Sequence, residues 1–527
     1  MTIATDRLPL VAHFRANISG RQHSENDGCH GASTGEFVPC ESLMRAPDTI
    51  LPPFQNTLAM PAKSEMQTKL VRPILPDDLF SRSPAEGAQI LQMYLNGLPE
   101  SERYGAFAPL VRNHWKWMCK AAPYLKFPEP KPILEGQIIN IGIWVWRLTV
   151  DGIGRVMQLV ANHYARDPRT NITIFISDDQ AGKIDFTLHP NVTVVSIPGR
   201  RSGGGNWAKL MEEYPQDVVI CPEHYLVENM QNMLLLKLLG VRIIAQEHNF
   251  ALCRQPFTSL SDKFAHLTPL YSCCDATTCL SRVDLYKWRR EGLGNVFFLP
   301  NPPTFDPSAV PPSNLQSKNI LWIGRWSTVK RPDLAIKVFA EVYKKFPDAR
   351  LIMLGEHYNS AYFRKCLKLA NECGVGHAVN ILGFQKEMEP YYANGAVLLS
   401  TSCVEGCPMV AIEAKAHGIP VVCSSLPWVE VLQRGCIQTP KGDEAAMANA
   451  LMDLLQNPEK RHRLGKEAQR DILENFSEKS VFAQYDAIIR AVLNGSAAVK
   501  ELFDNSPPLD SETLENTLSN AIKTWGK

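Results

Sequence analysis

From residue 137 to about 475 the chain alternates short apolar runs with amphipathic helical stretches, and it does so twice, with a proline-rich connector between the two series. The first series reads QIINIGIWVW as a buried strand, IGRVMQLVANHYA as a helix, and NITIFIS, NVTVVSI, DVVICP, VRIIAQEH and DATTCLS as further strands. VFFLPNPPTFDPSAVPPSN closes it. The second opens with the strand NILWIG and the helix RPDLAIKVFAEVYKKF, and continues through ARLIMLG, AVNILG, AVLLSTS and IPVVCSS. Strands joined by helical crossovers run parallel, and parallel strands covered by helices on both faces make an open doubly wound sheet. The expected fold class is therefore α/β: two tandem Rossmann-like doubly wound domains facing across an interdomain cleft, with an amino-terminal extension. Such sheets bind ligands at the carboxyl ends of their strands, so the cleft is where chemistry is sought.

The remaining segments are set by contrast with these two. Residues 1–85 mix polar residues and scattered prolines without a sustained period and are expected to be an irregular or poorly ordered extension. Residues 86–136 have helical spacing in GAQILQMYLNGL and APLVRNHWKWMCKAAPYL, a tryptophan-rich stripe that reads as core packing ahead of a membrane or partner surface. The first domain spans 137–312 and the second 313–475; a terminal helix over 476–495 is expected to pack back toward the first domain, followed by a polar tail over 496–527.

Composition excludes several classes. The 55 basic and 54 acidic residues leave a net charge of +1, so no global field recruits nucleic acid, and any anion site must be local. No apolar run reaches the ~18 residues of a spanning helix, and no apolar signal core follows Met1. The 14 cysteines include no Cys-x-x-Cys pair, and Cys221, Cys279, Cys366 and Cys423 fall inside expected strands or helices. That pattern predicts buried reduced thiols and a cytoplasmic chain, with peripheral contact at the inner face of a membrane as an alternative.

Two stretches carry most of the chemistry. GRWSTVKRPD, residues 324–333, joins a strand to a helix, and places Arg325 and Lys330 beside the positive end of the helix dipole, where a phosphate is most easily held. The same turn reads equally as a solvated helix start. EGCPMVAIEA, residues 405–414, places Glu413 among small and apolar residues, eight positions after Glu405. A buried carboxylate needs a partner, so this spacing predicts one. From Pro408 to Glu413 the helix rises ~7.5 Å, which sets the two acids at different depths along one wall, a separation comparable to that between the sugar and ribose hydroxyls of a sugar nucleotide. An ordinary Glu413–His417 pair is the bland alternative. In the first domain AQEHNF leaves His248 at a strand end, and DGIGR, residues 151–155, links the first strand to the first helix through Gly152 and Gly154. Neither Gly-x-Gly-x-x-Gly nor Asp-x-Asp occurs there, which disfavours a dinucleotide cofactor and leaves a metal-bridged diphosphate without obvious ligands.

Taken together these motifs resemble the retaining glycosyltransferases of family four, group 1 type, with the GT-B fold, over roughly residues 137–495. IGRWSTVKRPDLAIKVF is similar to that family's phosphate loop, with Arg331 where glycine is usual; STSCVEGCPMVAIEAKAHGIPVV is similar to its paired-glutamate signature; FLPNPPTF, AQEHN and DGIGR match the hinge, the His-bearing strand end and the glycine loop, with Asp151 where glycine is usual. The resemblance implies that Arg325, Lys330, Glu405 and His248 are the catalytic set. Arg325 and Lys330 would hold the donor diphosphate, Glu405 the transferred sugar, Glu413 the ribose, and His248 the sugar near its reacting carbon. Gly324, Ser402, Gly152 and Gly154, with the amides of Gly406 and Cys407, would complete the donor site. It further implies a nucleoside-diphosphate sugar as donor, a glycan, lipid-linked or small-molecule acceptor, no metal or other cofactor, and no nucleic acid. A sugar-nucleotide epimerase and a non-catalytic binding or assembly subunit on the same scaffold are the competing expectations.

Overall fold

The computed structural model describes residues 73–525 except 150, 178, 181–182, 199–205, 223–226, 254–256 and 357–359. Most of the expected extension over 1–85 lies outside the described residues. In the first domain seven strands, β1 (Ile139–Val145), β2 (Thr170–Ser177), β3 (Val192–Ile197), β4 (Val218–Cys221), β5 (Arg242–Gln246), β6 (Ala276–Cys279) and β7 (Val296–Phe298), form a parallel sheet in the order β3-β2-β1-β4-β5-β6-β7. In the second, β8 (Asn319–Ile323), β9 (Arg350–Leu354), β10 (Val379–Gly383), β11 (Val397–Ser400), β12 (Val421–Ser424) and β13 (Cys436–Thr439) are ordered β10-β9-β8-β11-β12-β13, again all parallel. The tandem doubly wound arrangement read from the sequence is thus the one observed. In both sheets the strand order reverses beside the first strand, between β1 and β4 and between β8 and β11, which opens a crevice beyond the carboxyl ends of those strands.

Burial on both faces explains why the central strands are rich in Ile and Val. In β1, Ile141, Ile143 and Val145 point to one face, where they pack with Val156, Met157 and Val160 of helix Gly152–Tyr164 and with Val481, Phe482 and Ile489 of helix Glu478–Leu493. That last helix follows the second domain in sequence but belongs to the core of the first, and Gln246 at the end of β5 donates to its Tyr485 hydroxyl at 2.6 Å. The opposite face is covered by helices Val227–Leu238 and Leu260–Cys273. Helices Pro84–Asn96, Glu100–Asn113 and Trp115–Ala121 build onto the same cluster, with Met118 and Cys119 fully buried and Trp115 and Trp117 partly so.

Residues 496–527, read from sequence as a polar tail with one amphipathic segment, LENTLSNAIKTW, carry helices Ser496–Asp504 and Ser511–Trp525. The second is held to helix Arg282–Arg290 by Glu515, which pairs with Arg290 and accepts from the Tyr286 hydroxyl at 3.0 Å, while Leu518 and Ala521 are buried. Sparse apolar residues on one face of a polar helix suffice when a docking helix supplies the rest of the seam. The described cysteines are all free thiols, and no described helix is long and apolar enough to cross a membrane.

Candidate active site

The second domain supplies the charged half of the site, at its switch point. β8 leads through Gly324 into the turn 325–331 and then helix Pro332–Lys345, whose first position is a proline that needs no amide partner there. Gly324 sits so close to the end of β9 that a Cβ on Gly355 (φ 129°) would lie 2.1 Å from its carbonyl oxygen. Arg331 caps the helix at φ 53°, the one positive φ at a non-glycine residue among the described residues. An L-residue pays roughly 1–2 kcal/mol to sit there, and Arg331 is held by a two-pronged pair with Asp333, Nε–Oδ1 2.9 Å and Nη2–Oδ2 3.0 Å. The turn is fastened to β11 by Thr401, whose hydroxyl lies 2.7 Å from the Lys330 carbonyl and 2.9 Å from that of Arg331, and accepts the Trp322 indole N–H at 3.0 Å.

This fastening brings Lys330 to Glu405, Nζ–Oε1 2.5 Å, with side chains 23% and 11% exposed. Ser402, nearly buried, lines the same small cavity as Lys330 and Glu405. Arg325 stands exposed at the mouth of the turn, with no ion pair among the described residues. A paired cation and acid, a second solvated cation and a helix N-terminus therefore meet outside the carboxyl ends of β8 and β11, a setting suited to a diphosphate bearing a hydroxylated group.

Residues 405–407 are where the two domains touch. A Cβ on Gly406 would lie 2.9 Å from the His248 carbonyl oxygen and 2.9 Å from Leu280 Cδ1, so only glycine admits this approach. Asn301 of the hinge donates to the Cys407 carbonyl at 2.9 Å, and burial pushes the Cys407 thiol up to about 12, making it an inert packing group. The Trp428 indole donates to the Glu405 carbonyl at 3.0 Å and stacks on Phe250 of the first domain, centroids 4.3 Å apart. Gly406 and the His248 segment are thus in direct contact across the domain boundary.

Glu413 lies in helix Met409–Ala416, and it has protein partners that the sequence did not reveal. Both carboxylate oxygens already accept protein hydroxyls: Thr304 of the connector at 2.9 Å and Tyr392 at 2.6 Å. His417 meets the Glu413 backbone carbonyl through Nδ1 and the Glu389 carboxylate through Nε2, both at 2.8 Å, so it does not pair with the Glu413 carboxylate. Burial raises the Glu413 carboxyl above its ordinary value, opposed by those two hydroxyls and by the charges of Arg155 and His417. A carboxylate offers about four acceptor positions, so two are still free for ligand hydroxyls.

The glycine loop of the first domain differs from expectation in its details. Asp151 is the N-cap of helix Gly152–Tyr164: its carboxylate accepts the Gly154 amide at 2.8 Å and pairs with Arg147 at 3.1 Å. Gly154 N–H is therefore committed to the cap and not offered to a phosphate, while Gly152 is exposed at the helix start. Asp151 at the helix N-terminus is favourable in its own right. The cation this helix contributes is Arg155, half-buried, whose guanidinium is shifted down by desolvation and stabilised in return by Glu413 across the cleft.

Three contributors were not assigned from sequence: Arg155, Thr304 and Tyr392. Each sits inside or beside a quoted motif, but its partner lies far along the chain, so no local spacing marks it.

With the geometry established, the known proteins that resemble this chain can be stated. The two facing Rossmann-like domains are the GT-B arrangement: sucrose-phosphate synthase from Thermosynechococcus elongatus superposes with a TM-score of 0.57 at 16% identity, covering 70% of this chain and 100% of that one. Anabaena HepE in complex with UDP and glucose gives 0.55 at 14% identity, covering 67% and 99%. By sequence, residues 307–471 match the family model of glycosyl transferases, group 1. N-acetyl-alpha-D-glucosaminyl L-malate synthase of Bacillus anthracis is 26% identical over 179 residues, 33% of this chain and 46% of that protein. The chain spans about half the length of the curated relatives it matches.

Proposed function

We propose that the protein is a glycosyltransferase that moves a sugar from a nucleoside-diphosphate sugar to an acceptor hydroxyl with retention of anomeric configuration, in glycan, glycolipid or polysaccharide synthesis. The observation that carries this reading is the meeting of Lys330, Glu405 and Ser402 at the switch point of a sheet whose sequence matches group 1 glycosyl transferases. Arg325 and Lys330 bind the diphosphate and neutralise the charge that grows on it as the glycosidic bond breaks, the kind of preorganised electrostatic effect that contributes most to such reactions. Glu405 accepts hydroxyls of the transferred sugar once Lys330 turns to the phosphate. Glu413 uses its remaining acceptor positions for the ribose, and His248 faces the sugar from the first domain. Side-chain cations do the work that a metal does elsewhere, so turnover persists in a chelator.

The test is to incubate the full chain with uridine, guanosine and adenosine diphosphate sugars and a panel of glycan, lipid-linked and small-molecule acceptors, and to read the new linkage by NMR. Transfer with the donor's anomeric configuration supports the reading. Inverted product, epimerised donor, or binding with no transfer across the panel overturns it.

A further inference from the structure

Behind His248 lies a set of buried charges that the proposed reaction does not use. Glu247, Lys263 and Asp284 are 1%, 2% and 1% exposed. Lys263, on helix Leu260–Cys273, pairs with Glu247 at 2.9 Å and donates to the Ala251 carbonyl, also at 2.9 Å. Asp284, on helix Arg282–Arg290, accepts the Ala251 amide at 2.8 Å. Both backbone polar groups of one loop residue are thus gripped by buried charged side chains from two different helices. A neutral side chain would satisfy either group, and burying charge is costly, so the arrangement favours a role in holding this loop over one in stability alone. Burial pushes the Asp284 carboxyl up to about 7, with Glu247 adding to the shift and Lys263 opposing it.

Ala251 follows Phe250, and Phe250 stacks on Trp428, which donates to the Glu405 carbonyl. We propose that Lys263 and Asp284 are positioning residues for sugar transfer: by clamping Ala251 they fix the segment 248–251, and through the Phe250–Trp428 stack they hold His248 and the Glu405 segment in register across the cleft. Neither residue touches the donor. The diphosphate cations and Glu413 belong to the second domain, so loosening the clamp lowers the rate of transfer and leaves nucleoside diphosphate affinity alone. The inference rests on the transferase reading for its kinetic consequence, but not for its structural one.

Asp284→Ala, Asp284→Asn and Lys263→Met are compared with the wild type in the full chain by transfer kinetics, by nucleoside diphosphate titration, and by hydrogen exchange of peptides covering 247–253 and 403–408. Asp284→Ala is expected to speed exchange in both peptides, to lower kcat by about 10- to 100-fold as misplaced groups do, and to leave the diphosphate Kd within about twofold. Asp284→Asn keeps an acceptor for the Ala251 amide and recovers kcat to within about threefold. Lys263→Met follows Asp284→Ala. Unchanged exchange at 247–253, or faster exchange with wild-type kcat, overturns the proposal, as does a parallel loss of kcat and diphosphate affinity. Should the wild type transfer nothing with any donor, the transferase reading fails, and exchange in 403–408 alone decides whether the clamp reaches across the cleft.

Discussion

Lys330 and Glu405 form a pair whose two members have separable effects, and a double-mutant cycle reads them apart. Replacing Lys330 by Met removes the cation proposed to face the diphosphate and leaves Glu405, 11% exposed, without its partner at 2.5 Å. The orphaned carboxylate costs about 1–3 kcal/mol of stability. Loss of one preorganised charge from the transition state costs about 2.7–4 kcal/mol, a fall of roughly 100- to 1,000-fold in turnover. Glu405→Gln added to Lys330→Met removes the orphan charge, so the denaturation midpoint recovers most of the loss, while turnover does not. Stability comes from urea titration of the purified chain and turnover from transfer assays on the same preparations. Wild-type turnover in Lys330→Met, or recovery of turnover together with stability in the double variant, would refute the assignment of these residues to the reacting phosphate and sugar.

Other expectations follow from the same geometry. Glu413 has a folded value above its ordinary one, so its contribution to stability is full below the unfolded value of about 4.3 and declines as pH rises through the folded value; the wild type therefore loses ground to Glu413→Gln in melting experiments over the range that starts at about pH 4.3 and extends upward, while the variant binds nucleoside diphosphate about 10-fold or more weaker. A difference between the two proteins that is flat across that range contradicts the burial argument. Arg331→Gly relieves about 1–2 kcal/mol of left-handed strain and forfeits a half-exposed pair worth about 0.5–1 kcal/mol plus backbone entropy of similar size, so stability stays within about 1 kcal/mol of wild type; a loss above about 2 kcal/mol in urea unfolding would show that Arg331 does more than cap its helix. Gly406→Ala forces a Cβ against the His248 carbonyl and is expected to cut turnover about 10- to 100-fold by separating the domains, a prediction that normal kinetics would end.

The alternation of apolar runs and amphipathic helices made both sheets legible, because parallel strands buried on two faces leave a continuous apolar signature that few other structures produce. The turn 325–331 and the helix bearing Glu413 were legible as structure for a related reason: each lies within one loop and helix, where spacing fixes position. What sequence could not reach was anything whose partner is distant in the chain. Glu413 advertised a missing partner, but the hydroxyls of Thr304 and Tyr392 come from the connector and from helix Glu389–Ala393, and neither residue type is unusual where it stands. Asp151 looked repulsive toward a phosphate and is instead a satisfied helix cap. Lys263 and Asp284 carry no local signal either, since the periodicity of a polar residue does not say that its face is covered by a loop. The final helix shows in the sequence as the amphipathic stretch LENTLSNAIKTW, but its role was not legible because its seam is supplied by the distant helix Arg282–Arg290.

The central claim is that the crevice between the domains holds a pyrophosphate between side-chain cations of the second domain. Calorimetric titration of the wild type, Arg325→Ala and Lys330→Met with uridine, guanosine and adenosine diphosphates, in the presence of a chelator, addresses it most directly. If the crevice holds a pyrophosphate in this way, at least one diphosphate binds the wild type saturably, and binding weakens by about 10-fold or more in each variant. Equal affinity in all three proteins, or no binding of any diphosphate at millimolar concentration, would contradict it.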